Sequence, residues 1–436
     1  MRVSGPGAIK ILAGLLGVPK IKLRDIKPRK AYKKTILDEN NNPFDDAIVT
    51  LYKKPKSYTG EDVLEISCHG SPYIIKYIID MCINFGASPA SPGDFTKRAF
   101  INGKIDLMQA ESVANMVSAS SHRGVNIALN GLRGSLSNEI GVMRDVLVDI
   151  LSYSEHLLDV SEEDIAQVDI SYIIDKTEKT EKMLQNLLKT YNTCRIMTSG
   201  AIVVLAGPTN SGKSTLFNSL VGYDRAIVNK DPGTTRDLLE AMIHVDGVPI
   251  TIVDTAGVRE SVDSVENEGM RRAREHIKKA DITCVVCDIT HVDIASESVD
   301  NILLKNNGDV CIFNKTDLIT KDLLDKYRVE LKTGLFLSAL KGLGVKELKK
   351  HIISALDLKN NDSEIFGITT PRQYNAIIKS VAAIVEVNKM INQNPVQLEL
   401  ISFELQNALR GIEDLLGVKP TDEILENMFK SFCVGK

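Results

Sequence analysis

Five short segments carry residues whose types and spacing suit nucleotide chemistry. Gly207-Pro208-Thr209-Asn210-Ser211-Gly212-Lys213-Ser214, followed by Thr215, has the pattern G-x-x-x-x-G-K-[ST]. Glycines let backbone N–H groups close around a polyphosphate, the lysine neutralises it, and the serine hydroxyl reaches Mg²⁺. Alone, that pattern says nucleoside triphosphate without saying which. Gly233-Thr234-Thr235-Arg236-Asp237 comes next, and the Thr235 hydroxyl is suited to complete the Mg²⁺ shell. Asp254-Thr255-Ala256-Gly257 brings a carboxylate near the metal and a glycine near the γ-phosphate. Asn314-Lys315-Thr316-Asp317 supplies a carboxylate that accepts from the guanine N1–H and N2 amine, donors that adenine cannot match. Ser338-Ala339 offers a backbone N–H to the guanine oxygen. Together and in this order they predict a GTP site. In Ras-type enzymes a glutamine just after the third segment orients the attacking water. Here that position is Val258, which has no polar atom to do so. Arg236 and Arg259 are candidates by position for the cation that the leaving charge needs.

These segments need a strand–loop–helix scaffold. The apolar run Ala201–Ala206 reads as the strand before the phosphate loop, and Thr215–Leu220 as the helix after it. Met242–Val253 reads as a hairpin turning at Asp246-Gly247. The flanks have a different period. Leu129, Leu132, Leu136, Ile140, Met143, Leu147 and Ile150 predict one long amphipathic helix, and Met183, Leu184, Leu187 and Leu188 a second. Two more follow, one on Ile377, Ile378, Val381, Ile384 and Val385, the other on Leu405, Ala408, Leu409, Ile412 and Leu416. Such stripes need one another for cover. The simplest architecture is therefore an α/β domain (199–365) inserted into one helical domain (106–198 and 366–436). Lys359–Ser363 would be the exit linker. Residues 1–105 read as a separate α/β domain. It has strands at Ala47–Tyr52 and Val63–Cys68, and a helix over Pro72–Phe85 with Ile75, Ile78, Ile79 and Cys82 on one face.

Bulk properties exclude little else. The 436 residues hold 53 basic and 57 acidic side chains, which argues against global polyanion binding. Locally, Lys20 to Lys34 holds eight basic residues and one acid, a surface that is either simply solvated or able to touch nucleic acid. No apolar run is long enough to span a membrane. Seven scattered cysteines suggest a reducing, cytoplasmic compartment. Cys284 and Cys287 lie in a strand-like run, where residues three apart face opposite sides, so a shared metal or redox site is not expected.

The GTP motifs, the Gly-Thr-Thr-Arg-Asp segment and the missing glutamine resemble the TrmE–Era–Der group of GTPases. Three flanking segments narrow this: Ser57–Glu65, Pro92–Leu107 and the ending Phe432-Cys433-Val434-Gly435-Lys436 resemble the MnmE (TrmE) family of tRNA-modifying GTPases over nearly the whole chain. The resemblance implies a Ras-like G domain inserted in a helical domain, behind a folate-binding, dimerising α/β domain. It implies a homodimer working with an MnmG-type FAD protein. Together they would add an aminomethyl or carboxymethylaminomethyl group to C5 of the tRNA wobble uridine, using a 5-formyltetrahydrofolate-type cofactor. Hydrolysis would drive the G domains together and apart. A K⁺ ion would take the arginine finger's electrostatic role. By motif matching its ligands are Asn210, Asn229, Asp231 and Thr234, within a nucleotide-contacting stretch that also includes Lys230, Pro232, Gly233 and Thr235. Glu266 would orient the water, with Glu268 as competitor. The folate positions would be Arg2, Glu65, Lys104 and Lys436.

Cys433 is the matching reactive thiol; a buried cysteine closing the last helix and a poorly matching prenylation ending are the alternatives. Family members usually carry a glycine-rich segment, starting with a strand, ahead of Arg-Val-Ser-Gly. This chain starts at Met1, so either the true start lies further upstream or the domain lacks its first strand, which would leave Arg2 a weak ligand at a frayed end. Leu340 stands where the family usually has Lys or Arg. A competing reading is an Era- or Der-like regulatory switch in ribosome assembly. An Era-like chain should bring a G-x-x-G loop in a basic α/β context after the G domain; here the downstream segment reads as helical. A scaffold with a vestigial G domain is disfavoured by the intact Lys213, Ser214, Asp254 and Asp317.

Overall fold

A computed structural model of the chain describes residues 1–19, 23, 26–158, 170–223, 239–255, 275–291, 308–331, 334–358, 366–393, 396–418, 420, 425, 428–429, 432 and 435. In chain order the first part contains β1 (Arg2–Ser4), α1 (Ala8–Leu15), β2 (Ala31–Leu37), β3 (Pro43–Tyr52), β4 (Val63–Ser67), α2 (Pro72–Asn84) and α3 (Asp94–Ile101). Then come α4 (Leu107–Ser118), α5 (His122–Leu132), α6 (Ser135–Leu158) and α7 (Ser171–Ser199). The inserted part contains β5 (Ala201–Ala206), α8 (Lys213–Tyr223), β6 (Leu239–Val245), β7 (Val248–Asp254), β8 (Ile282–Asp288), β9 (Val310–Asn314), α9 (Lys321–Glu330), β10 (Leu335–Phe336) and α10 (Val345–Ala355). Helices α11 (Pro371–Ile391) and α12 (Leu398–Leu416) follow.

The first sheet is antiparallel, ordered β1-β4-β3-β2. Strand β3 buries Ala47, Val49 and Leu51 and turns Asp46 and Ile48 outward, the alternation of a half-buried strand. Helices α1 and α2 supply the rest of that core. In α2, Ile78, Met81 and Cys82 point inward, but Ile79 is 41% exposed, against expectation. The inward stripe runs through Ile74, Ile78, Met81 and Phe85, about one helical position round from Ile75 and Ile79. Arg2 is not at a frayed end either. Met1 and Ile66 exchange two backbone hydrogen bonds (2.9 and 3.0 Å), which seats β1 on β4 as an edge strand.

The long helix expected over 129–150 is two helices. Gly134 sits between α5 and α6 at φ 83°, and the Gln109 side-chain amide caps the Leu132 carbonyl at 3.1 Å. Helix α11 packs along α12, where a Cβ on Gly411 would run into the Ser380 hydroxyl. Helix α6 also lies on α12, with Ser154 and Ser402 hydroxyls 2.8 Å apart. Beneath them Glu111 of α4 is buried and accepts from Arg372 (2.6 and 2.9 Å) and Gln373 (2.6 Å) of α11.

The chain divides into two compact units. One is Met1–Val117, Leu129–Asn186 and Pro371–Lys436; the other is Ser118–Ala128 with Leu187–Thr370. The second unit is thus an insertion in the first. Its sheet is ordered β10-β9-β8-β5-β7-β6, parallel except for the β6–β7 hairpin. The hairpin turns at Asp246 (φ 50°) and Gly247 (φ 78°), the double positive φ of a type I′ turn. Strand β8 is buried from Ile282 to Cys287, as a central parallel strand requires. Cys284 lies in one core and Cys287 in the core on the opposite face, so the two share no site. Burial pushes the Cys284 thiol up to about 12, far from thiolate chemistry. With its phosphate loop between β5 and α8, this is a Ras-like P-loop α/β fold. Among the described residues no helix is long and apolar enough to cross a membrane.

Candidate functional site

The phosphate loop is shaped by three positive φ angles. Gly207 (φ 133°) lies against the Val286 backbone and Gly212 (φ 93°) against the Asn314 amide; a Cβ at either would collide. Asn210 takes φ 61° and is exposed at the loop's tip. Helix α8 begins at Lys213, so its free N–H groups and positive dipole end face the loop. Lys213 is 6% exposed and donates to the Gly207 and Pro208 carbonyls at 2.8 and 2.7 Å. Burial lowers its pKa, with the Asp254 charge pulling the other way. The Ser211 hydroxyl is buried without a hydrogen-bond partner in the structure. A half-compensated ammonium, an orphaned hydroxyl and a glycine-lined cradle fit a polyphosphate. At the loop's end Ser214 Oγ donates to Asp254 Oδ2 at 2.8 Å, and Asp254 is fully buried. These are hard oxygen donors, which suit Mg²⁺. Thr255 ties the end of β7 back to the Leu205 carbonyl at 2.8 Å.

The residues expected from sequence to read the base gather at the C-terminal end of β9. Asn314 Nδ2 donates to the Ser211 carbonyl at 2.9 Å, and its Oδ1 accepts from the Ala339 N–H at 3.0 Å. One amide therefore joins the phosphate loop, β9 and the Ser338-Ala339 turn. The Ala339 N–H expected to meet the guanine oxygen is engaged here by Asn314 and would be shared with a base as a three-centre bond. Lys315 adopts φ 66°, which starts the short 3-10 turn carrying Thr316 and Asp317. Asp317 is exposed, and one of its carboxylate oxygens accepts from the Ser338 hydroxyl. Leu340 is 73% exposed and its side chain has no part in this arrangement.

A cavity of about 340 Å³ opens beside the loop, lined by Pro208, Thr209, Asn210, Ser211, Asp288, His291 and Lys315. Asp288 and His291 were not anticipated from sequence. Burial pushes Asp288 upward, but bonds from Lys315 (2.6 Å) and Thr290 outweigh it and hold the carboxyl below its usual range. Its signal was available: Asp288 ends β8, and ligands of open α/β sheets collect at the carboxyl ends of parallel strands.

Several candidates lie outside the described residues: Asn229, Lys230, Asp231, Pro232, Gly233, Thr234, Thr235, Arg236, Ala256, Gly257, Val258, Arg259, Glu266, Glu268, Cys433 and Lys436. So do Lys20, Lys22 and Arg24 of the basic stretch, and the linker at 359–363. Of the four folate positions, Arg2 and Glu65 are directly paired (Nε–Oε1 2.7 Å), and the Tyr52 hydroxyl donates to Glu65 Oε2 at 3.3 Å. Lys104 donates to the Pro55 carbonyl at 3.2 Å.

The sequence matches the model of the MnmE helical domain over residues 107–433 and that of the GTP-binding protein TrmE N-terminus over residues 1–104. The chain belongs to the MnmE family. It is 35% identical to the tRNA modification GTPase MnmE of Aquifex aeolicus, covering 100% of this chain and 96% of that protein. It is 36% identical to the protein of the same name from Pseudothermotoga lettingae, again over 100% and 96%. Among solved structures, the FeoB G-domain from Methanococcus jannaschii aligns with 36% of this chain and 97% of its own, at 27% identity and a TM-score of 0.27. The Ras-like assignment rests on strand order and loop geometry instead. Within the MnmE family frame, the β1–β4 edge with Arg2 and Glu65 falls in the part matched by the TrmE N-terminus, and the C-terminal aromatics fall in the helical match.

Proposed function

We propose that this chain is a GTP hydrolase that modifies tRNA. The observation that carries this reading is the Lys213 and Ser214–Asp254 arrangement at a glycine-shaped phosphate loop, inside a chain of the MnmE family. The finer reading is a homodimer that, with an MnmG-type FAD protein, adds an aminomethyl or carboxymethylaminomethyl group to C5 of the wobble uridine. In it, Lys213 neutralises the β–γ phosphates and Asp317 selects guanine. Ser214 and Thr235 hold Mg²⁺. Asn210, Asn229, Asp231 and Thr234 hold K⁺. Glu266 orients the water, and Cys433 is the reactive thiol. When bound, the two cations supply positive charge where negative charge builds on the leaving oxygens. Arg2, Glu65, Lys104 and Lys436 are assigned to a 5-formyltetrahydrofolate-type cofactor; the Arg2–Glu65 pair offers both a donor and an acceptor to a pterin ring. The boundaries 1–105, 106–198, 199–365 and 366–436 divide these roles.

Nucleoside mass spectrometry of tRNA from cells lacking this protein tests the reading. Loss of the wobble-uridine modification is expected; unchanged wobble uridines would overturn it and favour a ribosome-assembly switch. Turnover by the full-length protein should be markedly faster in K⁺ than in Na⁺, and equal rates would remove the K⁺ assignment. Asn210 is exposed at the loop tip, so Asn210→Lys should slow hydrolysis while GTP still binds.

A further inference from the structure

Asp288 lies at the candidate site without belonging to any of its five sequence segments. It ends β8 and leads into a short 3-10 turn, Ile289–His291, whose Ile289 is fully buried. That turn fixes the carboxylate. Oδ1 accepts from the Thr290 backbone N–H at 2.9 Å and from the Thr290 hydroxyl at 2.7 Å. Oδ2 accepts from Lys315 Nζ at 2.6 Å, across from β8 to the end of β9. The two side chains are 18% and 29% exposed, so solvent screens the pair less than it would a surface pair.

Lys315 is held at its other end too. Its backbone takes φ 66°, and its carbonyl accepts from the Leu318 N–H at 3.0 Å, closing the turn that carries Asp317. Between these anchors the stem passes the phosphate loop, where a Cβ on Gly212 would lie 4.0 Å from Lys315 Cε. A free lysine stem has much rotamer freedom to lose. Here that freedom is already given up to Asp288, so a ligand entering beside it does not have to order it.

We propose that Asp288 is a positioning residue, which holds the Lys315 stem as a preformed wall for the guanosine end of the nucleotide. Both carboxylate oxygens are occupied by Thr290 and Lys315, so Asp288 acts through Lys315 and need not touch the ligand. This inference rests on the reading of the chain as a GTP hydrolase.

The test uses the full-length chain and the variants Asp288→Ala, Asp288→Asn, Lys315→Gln, and Asp288→Ala combined with Lys315→Gln. Binding is read in about 1 M NaCl, where the Debye length is about 3 Å and the altered net charge counts for little. Fluorescent GDP is titrated directly, and pyrophosphate, which lacks the nucleoside, by competition. Asp288→Ala should weaken GDP binding by about tenfold, the scale of ordering one long side chain on binding. Pyrophosphate binding should change by less than about twofold, because Lys213 and the phosphate loop keep their contacts. Asp288→Asn keeps a neutral acceptor and should lose only about threefold. If the alanine variant fails to fold, this milder one carries the comparison, alone and with Lys315→Gln. In the Lys315→Gln background, Asp288→Ala should add less than about twofold, since the group it holds is gone. Unchanged GDP binding by Asp288→Ala, equal losses for GDP and pyrophosphate, or additive losses in the double variant would each overturn the inference. Failure of the wild-type chain to bind GDP would remove the GTP reading on which it rests.

Discussion

Guanine selection comes down to which atoms accept. In the proposed site Asp317 would present only acceptors to the base, while the Ser338 hydroxyl donates to one of its oxygens. Asp317→Asn keeps the shape but turns one oxygen into a donor. Guanine then meets donor against donor, whereas xanthine offers a carbonyl at the same edge. The expected outcome is a loss of GTP affinity by about 10²-fold or more, partly recovered with XTP, as a site built to pair a group rejects its mismatch. Fluorescent nucleotide binding checks it; an unaltered GTP preference would show that another group reads the base. Lys213 supports a pH prediction. Burial lowers its pKa below the usual lysine range in the free protein, and a bound polyphosphate must raise it again. The bound form therefore holds the proton more tightly. GTP affinity should be flat below the lowered pKa and should fall as pH rises through it. Calorimetry in two buffers of different ionisation enthalpy should find proton uptake on binding at alkaline pH. At this scale the sequence was most legible where chemistry is local. Lys213, Ser214, Asp254 and Asp317 stand out in the sequence through their motifs, whereas Asp288 and His291 reach the cavity only because β8 runs beside β9.

Elements were legible where one period governed them. The buried run of β8 and the Asp246-Gly247 turn are local signals and emerge as read. The helix over 129–150 is different, since its apolar spacing continues unbroken through Gly134. What ends α5 is Gln109, twenty-three residues away, whose amide caps Leu132. No local pattern encodes that partner. The same holds for Glu111, which looks like a surface residue in sequence but is 5% exposed and surrounded by Arg372 and Gln373. Arg372 also donates to the Asp414 and Leu415 carbonyls at 2.6 and 3.2 Å, so it closes the end of α12 as well. Removing one partner of a buried pair strands the other charge. Arg372→Ala should therefore destabilise the first unit by about 3 kcal/mol. Replacing Glu111 and Arg372 together with apolar residues should cost less than the single change, because no charge is left stranded. Urea unfolding of both variants measures this, and a double variant that loses more than the single one would sink the argument.

At the scale of the whole molecule, the unit that carries the phosphate loop is Ser118–Ala128 with Leu187–Thr370, and most of it is spliced between Asn186 and Pro371 of the other unit. Each unit has its own cores: one around Ile11, Leu64 and Ile78, another around Val203, Ile250 and Ile352. A unit with its own core can melt on its own. The residues proposed to hold the nucleotide, Lys213, Ser214, Asp254, Asn314 and Asp317, all belong to the inserted unit, so on that reading bound GTP with Mg²⁺ would stabilise that unit directly. A ligand at 100 times its Kd adds about 2.7 kcal/mol to the state that binds it. Calorimetry of the full-length chain should show two transitions. Added GTPγS and Mg²⁺ should move one upward by several degrees and leave the other in place. Lys213→Ala should abolish the shift without changing the second transition. If both transitions moved equally on ligand addition, the units would be one thermodynamic body. The insertion would then couple nucleotide state to Glu111 and Arg372 through stability itself, with no separate relay needed.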